Sequence, residues 1–254
     1  MHVRQFLQPI SLILLAIASL AWAVTGRSET LIVGIDHSFP PFTYQDDQGA
    51  YRGLHVEIIS RALEDAGMAY EVRGYPWKRL VLLADLAELD LALPFRHKPE
   101  RFEKYYMVGP FTETGSRTFF FGLNDTSIKW KVLPDLTGYV IGLIDGFAYP
   151  ESIEQAVYLD YYRFNGSTQK LALMLRLQRI DLLVSDETVF WDSVERGEMV
   201  RAFQPVGAPL DRVMRYVVVP RPKEALASKV QAALDRFKRD DAYRAILERY
   251  GVAL

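Results

Sequence analysis

The sequence predicts an α/β protein built as two lobes. Short apolar, β-branched runs alternate with segments whose apolar residues recur at helical spacing, and this alternation is typical of α/β folds. The alternation occurs in two series along the chain, which favours two α/β units over one. There is no internal repeat of fixed period, so a solenoid is not indicated.

The first 23 residues are typical of an export signal. Arg4 lies in a short cationic start, residues 6–22 are largely apolar, and Ala21 and Ala23 form a small-x-small pattern, as at signal-peptide cleavage sites. We therefore expect a signal peptide over residues 1–23 that is cleaved near Ala23. An uncleaved anchor is the alternative, because a run of about 17 apolar residues is at the lower limit for crossing a bilayer.

In the first unit, residues 30–35 predict a buried strand, and Pro40 and Pro41 forbid a helix directly after it. Residues 54–66 place their apolar side chains on one helical face, and Gly67 supplies the stop. The remaining elements predicted for this unit are a strand at 70–73, a helix at 76–88 and a strand at 89–93. Alternation of these lengths predicts a parallel sheet that is covered on both faces.

A second series follows. Strands are predicted at 118–121, 139–144 and 180–184, and helices at 148–159, 168–178 and 186–196. Residues 215–219 predict a final strand, and two amphipathic helices end the chain, with apolar faces that include Leu234 and Ile246. These helices complete the predicted secondary structure.

Charge and residue content exclude several functions. The 30 Lys and Arg residues against 32 Asp and Glu give a net charge of −2, which provides no basic field for nucleic acid. Without cysteine there is no thiolate nucleophile and no Cys-ligated metal, and the four histidines lack paired spacing. We expect no metal, no cofactor and no nucleic-acid partner.

Five stretches, in order, resemble family 3 periplasmic solute-binding proteins, the receptors of polar amino acid ABC importers. They are LIVGIDHSFPPFTYQDDQGAYRGLHVEI (31–58), LDLALPFRHKPERF (89–102), LTGYVIGLIDG (136–146), RIDLLVSD (179–186) and DDAYRAILERYG (240–251). Each motif alone is weak, but the ordered set is specific, and the resemblance covers nearly all of residues 30–251.

The resemblance implies the two-lobed periplasmic-binding-protein (Venus-flytrap) fold with two crossover strands, in which hinge closure traps the ligand. The implied lobe 1 is 24–112 plus 213–254, and the implied lobe 2 is 113–212. The implied function is a periplasmic, monomeric, non-catalytic receptor that captures a small amino acid or carboxylate for a membrane transporter permease of the ABC type. Two alternatives remain: a periplasmic enzyme of the cyclohexadienyl dehydratase type, and a ligand-sensing partner of a membrane receptor.

The resemblance also implies ligand-binding residues. Arg101 stands where the family carries its carboxylate-binding arginine, and a planar guanidinium suits that task because it offers two parallel hydrogen bonds. Asp186 matches the acid that binds the α-amino group, although an Asp at this point is equally suited to cap a helix. Phe39 matches an aromatic wall of the ligand site.

Other candidates carry open alternatives. Asp36 either points into the cleft or forms a turn, and Trp77 lies either at the cleft rim or in the core. The chain departs from amino acid binders at Arg96 and Phe147, which stand where the family usually carries small hydroxyl residues. Part of the usual set of hydrogen bonds to the ligand is therefore missing. Arg96 either faces the cleft beside Arg101, favouring a ligand with additional negative charge, or is a solvated loop residue.

Overall fold

The computed structural model describes residues 30–196 and 199–252. The predicted signal peptide, residues 1–23, lies outside the described residues. Within the described ranges, no helix has the length and apolar character needed to cross a bilayer.

The first unit contains a five-stranded sheet and a small three-stranded one. The small sheet consists of β2 (Ser38–Phe39), β3 (Thr43–Gln45) and β4 (Tyr51–Arg52), and the larger one of β1 (Leu31–Asp36), β5 (Tyr70–Tyr75), β6 (Leu91–Arg96), β7 (Tyr105–Val108) and β13 (Arg215–Pro220). The spatial order of the larger sheet is β5-β1-β6-β13-β7.

Strand direction in the larger sheet of this unit is mixed. β1 is parallel to β5 and β6, whereas β13 is antiparallel to β6 and β7. The prediction of a wholly parallel sheet is therefore wrong, because β13 enters from the second unit without the crossover helix that a parallel pair requires.

Helices cover both faces of this sheet. They are α1 (Leu54–Asp65), α2 (Trp77–Asp85), α7 (Glu224–Phe237) and α8 (Asp241–Arg249), and the unit also contains the short helix α3 (Pro99–Phe102). Val33 and Ile35 of β1 pack in one core cluster with α1, α7 and α8, whereas Ile32 packs against a second cluster that contains Leu80 of α2. This alternation is the expected side-chain period of a strand.

The second unit is built on another five-stranded sheet. Its strands are β8 (Ser116–Leu123), β9 (Val140–Ile144), β10 (Asp160–Phe164), β11 (Leu182–Asp186) and β12 (Phe203–Val213), and its helices are α4 (Glu151–Gln155), α5 (Thr168–Arg176) and α6 (Glu187–Arg196). The spatial order is β10-β9-β11-β8-β12. β9 is parallel to β10 and β11, and β8 is antiparallel to β11 and β12.

The core of the second unit lies on both faces of its sheet. Phe119 and Phe121 of β8 pack with Phe190 of α6, while Phe120 packs with Leu182 and Leu143 on the other face. Neighbouring side chains of one strand thus fill different core clusters.

Among the strands of four or more residues, the sequence does not predict β7, β10 or β12, and the helix predicted at 148–159 is only the five-residue α4. β12 contains two prolines and a glycine, which argue against a strand, but it is an edge strand with an irregularity between Val206 and Asp211. β10 is also an edge strand and is largely exposed, so it lacks the apolar run that marks buried strands.

The chain crosses between the two five-stranded sheets twice. Residues 109–115 lead from β7 to β8, and Met214 alone connects β12 to β13. Both crossings lie at the same boundary between the sheets, since Ser116 pairs with Val213 at the ends of β8 and β12. The two units are therefore joined by two neighbouring connections.

Gly53 sets the entry to α1. It has φ 122 and ψ 163, a region that is almost restricted to glycine, and a Cβ there would lie 2.4 Å from the Phe42 carbonyl oxygen. Gly67, after the same helix, has φ 67 but no atom within 4 Å of its would-be Cβ.

We expect Gly53→Ala to lower the free energy of unfolding by at least about 2 kcal/mol more than Gly67→Ala, because it adds a backbone clash to the backbone strain. Urea denaturation of both variants at one pH measures this difference. Equal losses would contradict the close approach of Gly53 to Phe42.

Candidate functional site

A cavity lies between the two five-stranded sheets, and all seven residues predicted for the ligand site line it. Asp36, Phe39, Trp77, Arg96 and Arg101 belong to the first unit, and Phe147 and Asp186 to the second. The cavity follows the carboxyl ends of β1 and β11, where ligand sites in open α/β sheets are usual.

Arg101 lies on α3, and aromatic rings surround its guanidinium. Its carbon Cζ is 4.9 Å from the Phe95 ring centroid and 5.7 Å from that of Trp77. Nη1 donates a hydrogen bond to the Arg96 carbonyl oxygen at 2.6 Å. Burial lowers the pKa of Arg101, and no carboxylate of the described residues forms a salt bridge with it. Arg101 thus offers the cavity a cation that forms no salt bridge within the described residues, and the charges of Glu100 and Glu154 act on it only at longer range.

Arg96 ends β6 and forms a salt bridge with Asp211 of β12. Burial and then the Arg215 charge lower the pKa of Arg96 to about 10. Arg96 lines the cavity beside Arg101, which is the first of its two predicted alternatives, but Asp211 pairs with its charge. The link from Arg96 to an additional ligand charge therefore loses its main support.

Asp186 ends β11 and is 8% exposed. Its Oδ1 accepts hydrogen bonds from the backbone N–H of Thr188 at 2.9 Å and of Val189 at 3.3 Å, which caps α6. Its Oδ2 accepts from the Ser116 hydroxyl and from Arg215 Nη2, the latter at 2.5 Å. The helix-capping alternative for Asp186 is therefore present, together with an ion pair that the sequence does not indicate.

Arg215 begins β13 and lies opposite Arg96 on the neighbouring strand β6. Its Cζ is 4.9 Å from the Phe39 ring centroid and 5.2 Å from that of Phe42, so the guanidinium is held by aromatic faces as well as by Asp186. Its Nε is buried and has no hydrogen-bond partner among the described residues.

Asp36 ends β1 and is 1% exposed. Its Oδ1 accepts hydrogen bonds from the Ser38 N–H at 3.0 Å and the Ser38 hydroxyl at 2.9 Å. Burial raises the pKa of Asp36, and these bonds partly offset the rise. Asp36 thus adopts both predicted roles, since it lines the cavity and forms a local turn contact.

Three aromatic side chains from both units meet in the cavity wall. Phe147 contacts Phe39 edge-on with ring centroids 5.5 Å apart, and Trp77 edge-on at 6.0 Å. The ring centroid of Trp77 also lies 4.9 Å from that of Phe95 on β6. Trp77 therefore both lines the cavity and packs against a core side chain. Phe42 packs in the core of the first unit and is absent from the cavity wall.

Polar contacts also bridge the units around the cavity. Trp77 Nε1 donates to the Gly146 carbonyl oxygen at 2.6 Å. Lys78 pairs with Asp145 and Lys98 with Glu154, each at 2.5 Å. These exposed or half-exposed ion pairs contribute little individually to the free energy of unfolding, but each of them joins the two sides of the cavity.

Sequence reasoning missed Arg215, Asp211 and Ser116. Arg215 opens a predicted strand that is otherwise apolar, and a charge at that position was the one available signal. Asp211 lies in a segment for which no element is predicted, and Ser116 is 70 residues from Asp186 in sequence. No local pattern connects such positions.

Two α/β units, two chain crossings and a charged cavity between the sheets define a two-lobed solute-binding protein. The chain belongs to the bacterial extracellular solute-binding proteins, family 3, whose family model matches residues 31–253. The predictions of the family, the fold class and a solute-binding function are thereby confirmed.

Individual relatives are more distant. The chain is 26% identical over 223 residues to the L-cystine-binding protein TcyJ of Escherichia coli strain K12, covering 87% of this chain and 82% of TcyJ. It is 20% identical over 245 residues to the L-arginine-binding protein of Pseudomonas aeruginosa, covering 93% of each.

Solved structures share the fold. An ancestral arginine-binding protein bound to arginine matches with a TM-score of 0.76 at 20% identity, over 87% of this chain and 97% of that one. A histidine kinase sensor domain with similarity to periplasmic binding proteins matches with a TM-score of 0.78 at 21% identity, over 88% and 96%.

The ion pair of Asp186 and Arg215 should contribute strongly to stability. Asp186→Asn keeps a capping oxygen but leaves Arg215 as a buried cation without a partner, so we expect a loss of about 3–5 kcal/mol in the free energy of unfolding. A double-mutant cycle with Arg215→Met should give a coupling of at least about 1 kcal/mol. Additive effects in urea denaturation would show that the pair contributes nothing.

Asp36 should affect the pH dependence of stability. Because its pKa is higher in the folded protein, the folded state binds more protons, and stability falls as the pH rises from about 3.9 through the raised pKa. The amide of an asparagine cannot ionise, so Asp36→Asn should remove this decline. We expect the free energy of unfolding of the wild type, relative to Asp36→Asn, to fall as the pH rises above about 4. A constant difference would contradict the raised pKa.

Proposed function

We propose that the protein is an exported, non-catalytic receptor that captures a small amino acid or carboxylate between its lobes for an ABC-type importer. The observation that carries this proposal is Arg101, a half-buried guanidinium that faces the cavity with no carboxylate partner among the described residues. A guanidinium in this setting favours a planar anion with two acceptor oxygens.

Binding requires more than Arg101. One charged hydrogen bond contributes about 1.5–3 kcal/mol, whereas micromolar affinity corresponds to about 8 kcal/mol. Phe39, Trp77 and Phe147 add apolar surface from both lobes, and the contact of Trp77 with Gly146 joins the lobes beside them. Closure of the lobes around the ligand therefore supplies the remaining free energy.

The lobes are assigned as residues 24–112 plus 213–254 and residues 113–212. Sheet membership supports this division, since β1, β5, β6, β7 and β13 form one sheet and β8 to β12 the other. The final helices α7 and α8 pack on the first sheet, as expected for a discontinuous first lobe.

The N-terminal pattern and the relatives support the proposed cellular setting. Residues 1–23 act as a signal peptide cleaved near Ala23, and the mature protein is a periplasmic monomer. Its proposed partner is a membrane transporter permease, as the family resemblance implies, and the names of TcyJ and the L-arginine-binding protein support an amino acid as the class of solute.

An enzyme of the dehydratase type is the less favoured function. General acid–base chemistry needs groups that are free to exchange protons with the substrate. Both oxygens of Asp186 are occupied by hydrogen bonds, so Asp36 is the remaining carboxyl group among the described cavity residues. Within that part of the chain, no second cavity carboxylate completes an acid–base pair.

Native mass spectrometry of the exported protein should detect a retained small carboxylate, and calorimetry with that molecule should give its affinity. Arg101→Ala should weaken binding by about 2–5 kcal/mol, because it strips a desolvated carboxylate of its partner. Arg79→Ala, an exposed position on α2, serves as the control and should bind normally. Unchanged affinity in Arg101→Ala would remove Arg101 from the site.

A further inference from the structure

The carboxylate that the family resemblance assigns to a ligand ammonium is already fully occupied. Oδ1 of Asp186 accepts two backbone hydrogen bonds and Oδ2 accepts from Ser116 and Arg215. A carboxylate has about four acceptor positions, so none is left for an incoming ammonium group. A ligand amine would have to displace one of these four donors.

Arg215 is the one cationic donor among the four groups that bond to Asp186, so it is the donor that a ligand ammonium would replace. Several contacts fix its position. Its side chain is 10% exposed, and its guanidinium stacks on Phe39 and Phe42 at 4.9 and 5.2 Å. If a ligand ammonium broke the ion pair of Asp186 and Arg215, the Arg215 guanidinium would stay buried without a partner, which is strongly unfavourable. Arg215 also lines the cavity, so an ammonium beside Asp186 would meet a like charge.

Two of the three arginines that line the cavity form salt bridges with aspartates, and the third does not. Asp211 neutralises Arg96 and Asp186 neutralises Arg215, whereas Arg101 has no such partner among the described residues. The remaining cavity carboxyl, Asp36, is 1% exposed, and its Oδ1 is bonded to Ser38. Burial raises its pKa, because desolvation disfavours the charged form of a carboxyl group.

We propose that the cavity takes a carboxylate that carries an uncharged group, such as a hydroxyl, where an α-amino acid carries its ammonium. The carboxylate lies on Arg101, and the apolar or aromatic remainder packs against Phe39, Trp77 and Phe147. This inference rests on the proposed function and narrows its ligand from amino acids or carboxylates to carboxylates without an α-ammonium.

Matched pairs of probes test the inference on the wild-type protein. Calorimetry compares L-phenylalanine with L-3-phenyllactate, L-leucine with its 2-hydroxy analogue and L-arginine with its 2-hydroxy analogue. The hydroxy acid of at least one pair should bind at least about tenfold more tightly than its amino acid, because only the amino acid brings an α-ammonium that finds no free carboxylate position on Asp186. Tighter binding of the amino acid in every pair that binds would overturn the inference.

Arg215→Met tests the cause of the preference, because it frees one of the two acceptor positions on Oδ2 of Asp186 for an ammonium. The preference for the hydroxy acid should fall by at least about tenfold in this variant, and it should persist in Arg212→Met, which removes an exposed cation outside the cavity wall. An unchanged preference in a folded Arg215→Met would overturn the role of the ion pair.

The proposed function fails in a different way. If native mass spectrometry shows no retained solute and no probe binds, the receptor function fails and the inference falls with it. If amino acids bind more tightly than their hydroxy analogues and Arg101→Ala abolishes this binding, the receptor stands and only the inference is overturned. If Asp36→Asn abolishes the binding of amino acids, Asp36 holds the ligand ammonium. In that case too, the receptor function stands and only the inference is overturned.

Discussion

Two arginines stand opposite each other on neighbouring strands of the first sheet, and the cavity depends on how their repulsion is offset. Arg96 and Arg215 are register partners in β6 and β13, a placement that is unfavourable for like charges. Each is matched by an aspartate from the second sheet, Asp211 and Asp186 respectively. Electrostatic compensation therefore acts across the cleft. The same two pairs join the lobes and leave Arg101 as the cavity arginine without a salt bridge among the described residues.

The Asp186 pair connects several levels of structure at once. One carboxylate caps α6, bonds to Ser116 at the start of β8 and neutralises the first residue of β13. The aromatic rings of Phe39 and Phe42 then hold the Arg215 guanidinium from the other side. The position of Phe39 in the cavity wall is thus tied to the charge pairing, so packing and electrostatics in this site are not independent.

The sequence predicts the parts of this protein that depend on local pattern. Apolar periodicity located β1, α1 and β11, and the motif around Arg101 placed it in the cavity wall. Edge strands such as β10 are not predicted, because an exposed strand lacks the buried apolar face that marks a strand in the sequence. Arg96 shows the second limit: the sequence predicts its place in the cleft as one of two alternatives, but the pairing of its charge depends on Asp211, which is 115 residues away in sequence. Long-range charge pairs leave no local trace.

The unequal length of the two connections has a consequence for kinetics. Any rotation of one lobe against the other would have to be absorbed in residues 109–115 and at Met214, and Arg215 directly follows the single-residue connection. A pair beside the connections would have a short lever arm and would keep its geometry in such a rotation, whereas contacts such as Lys98 to Glu154 would separate. The charge pattern of the wall then acts already on encounter with a ligand, and the contacts made by closure govern its residence time.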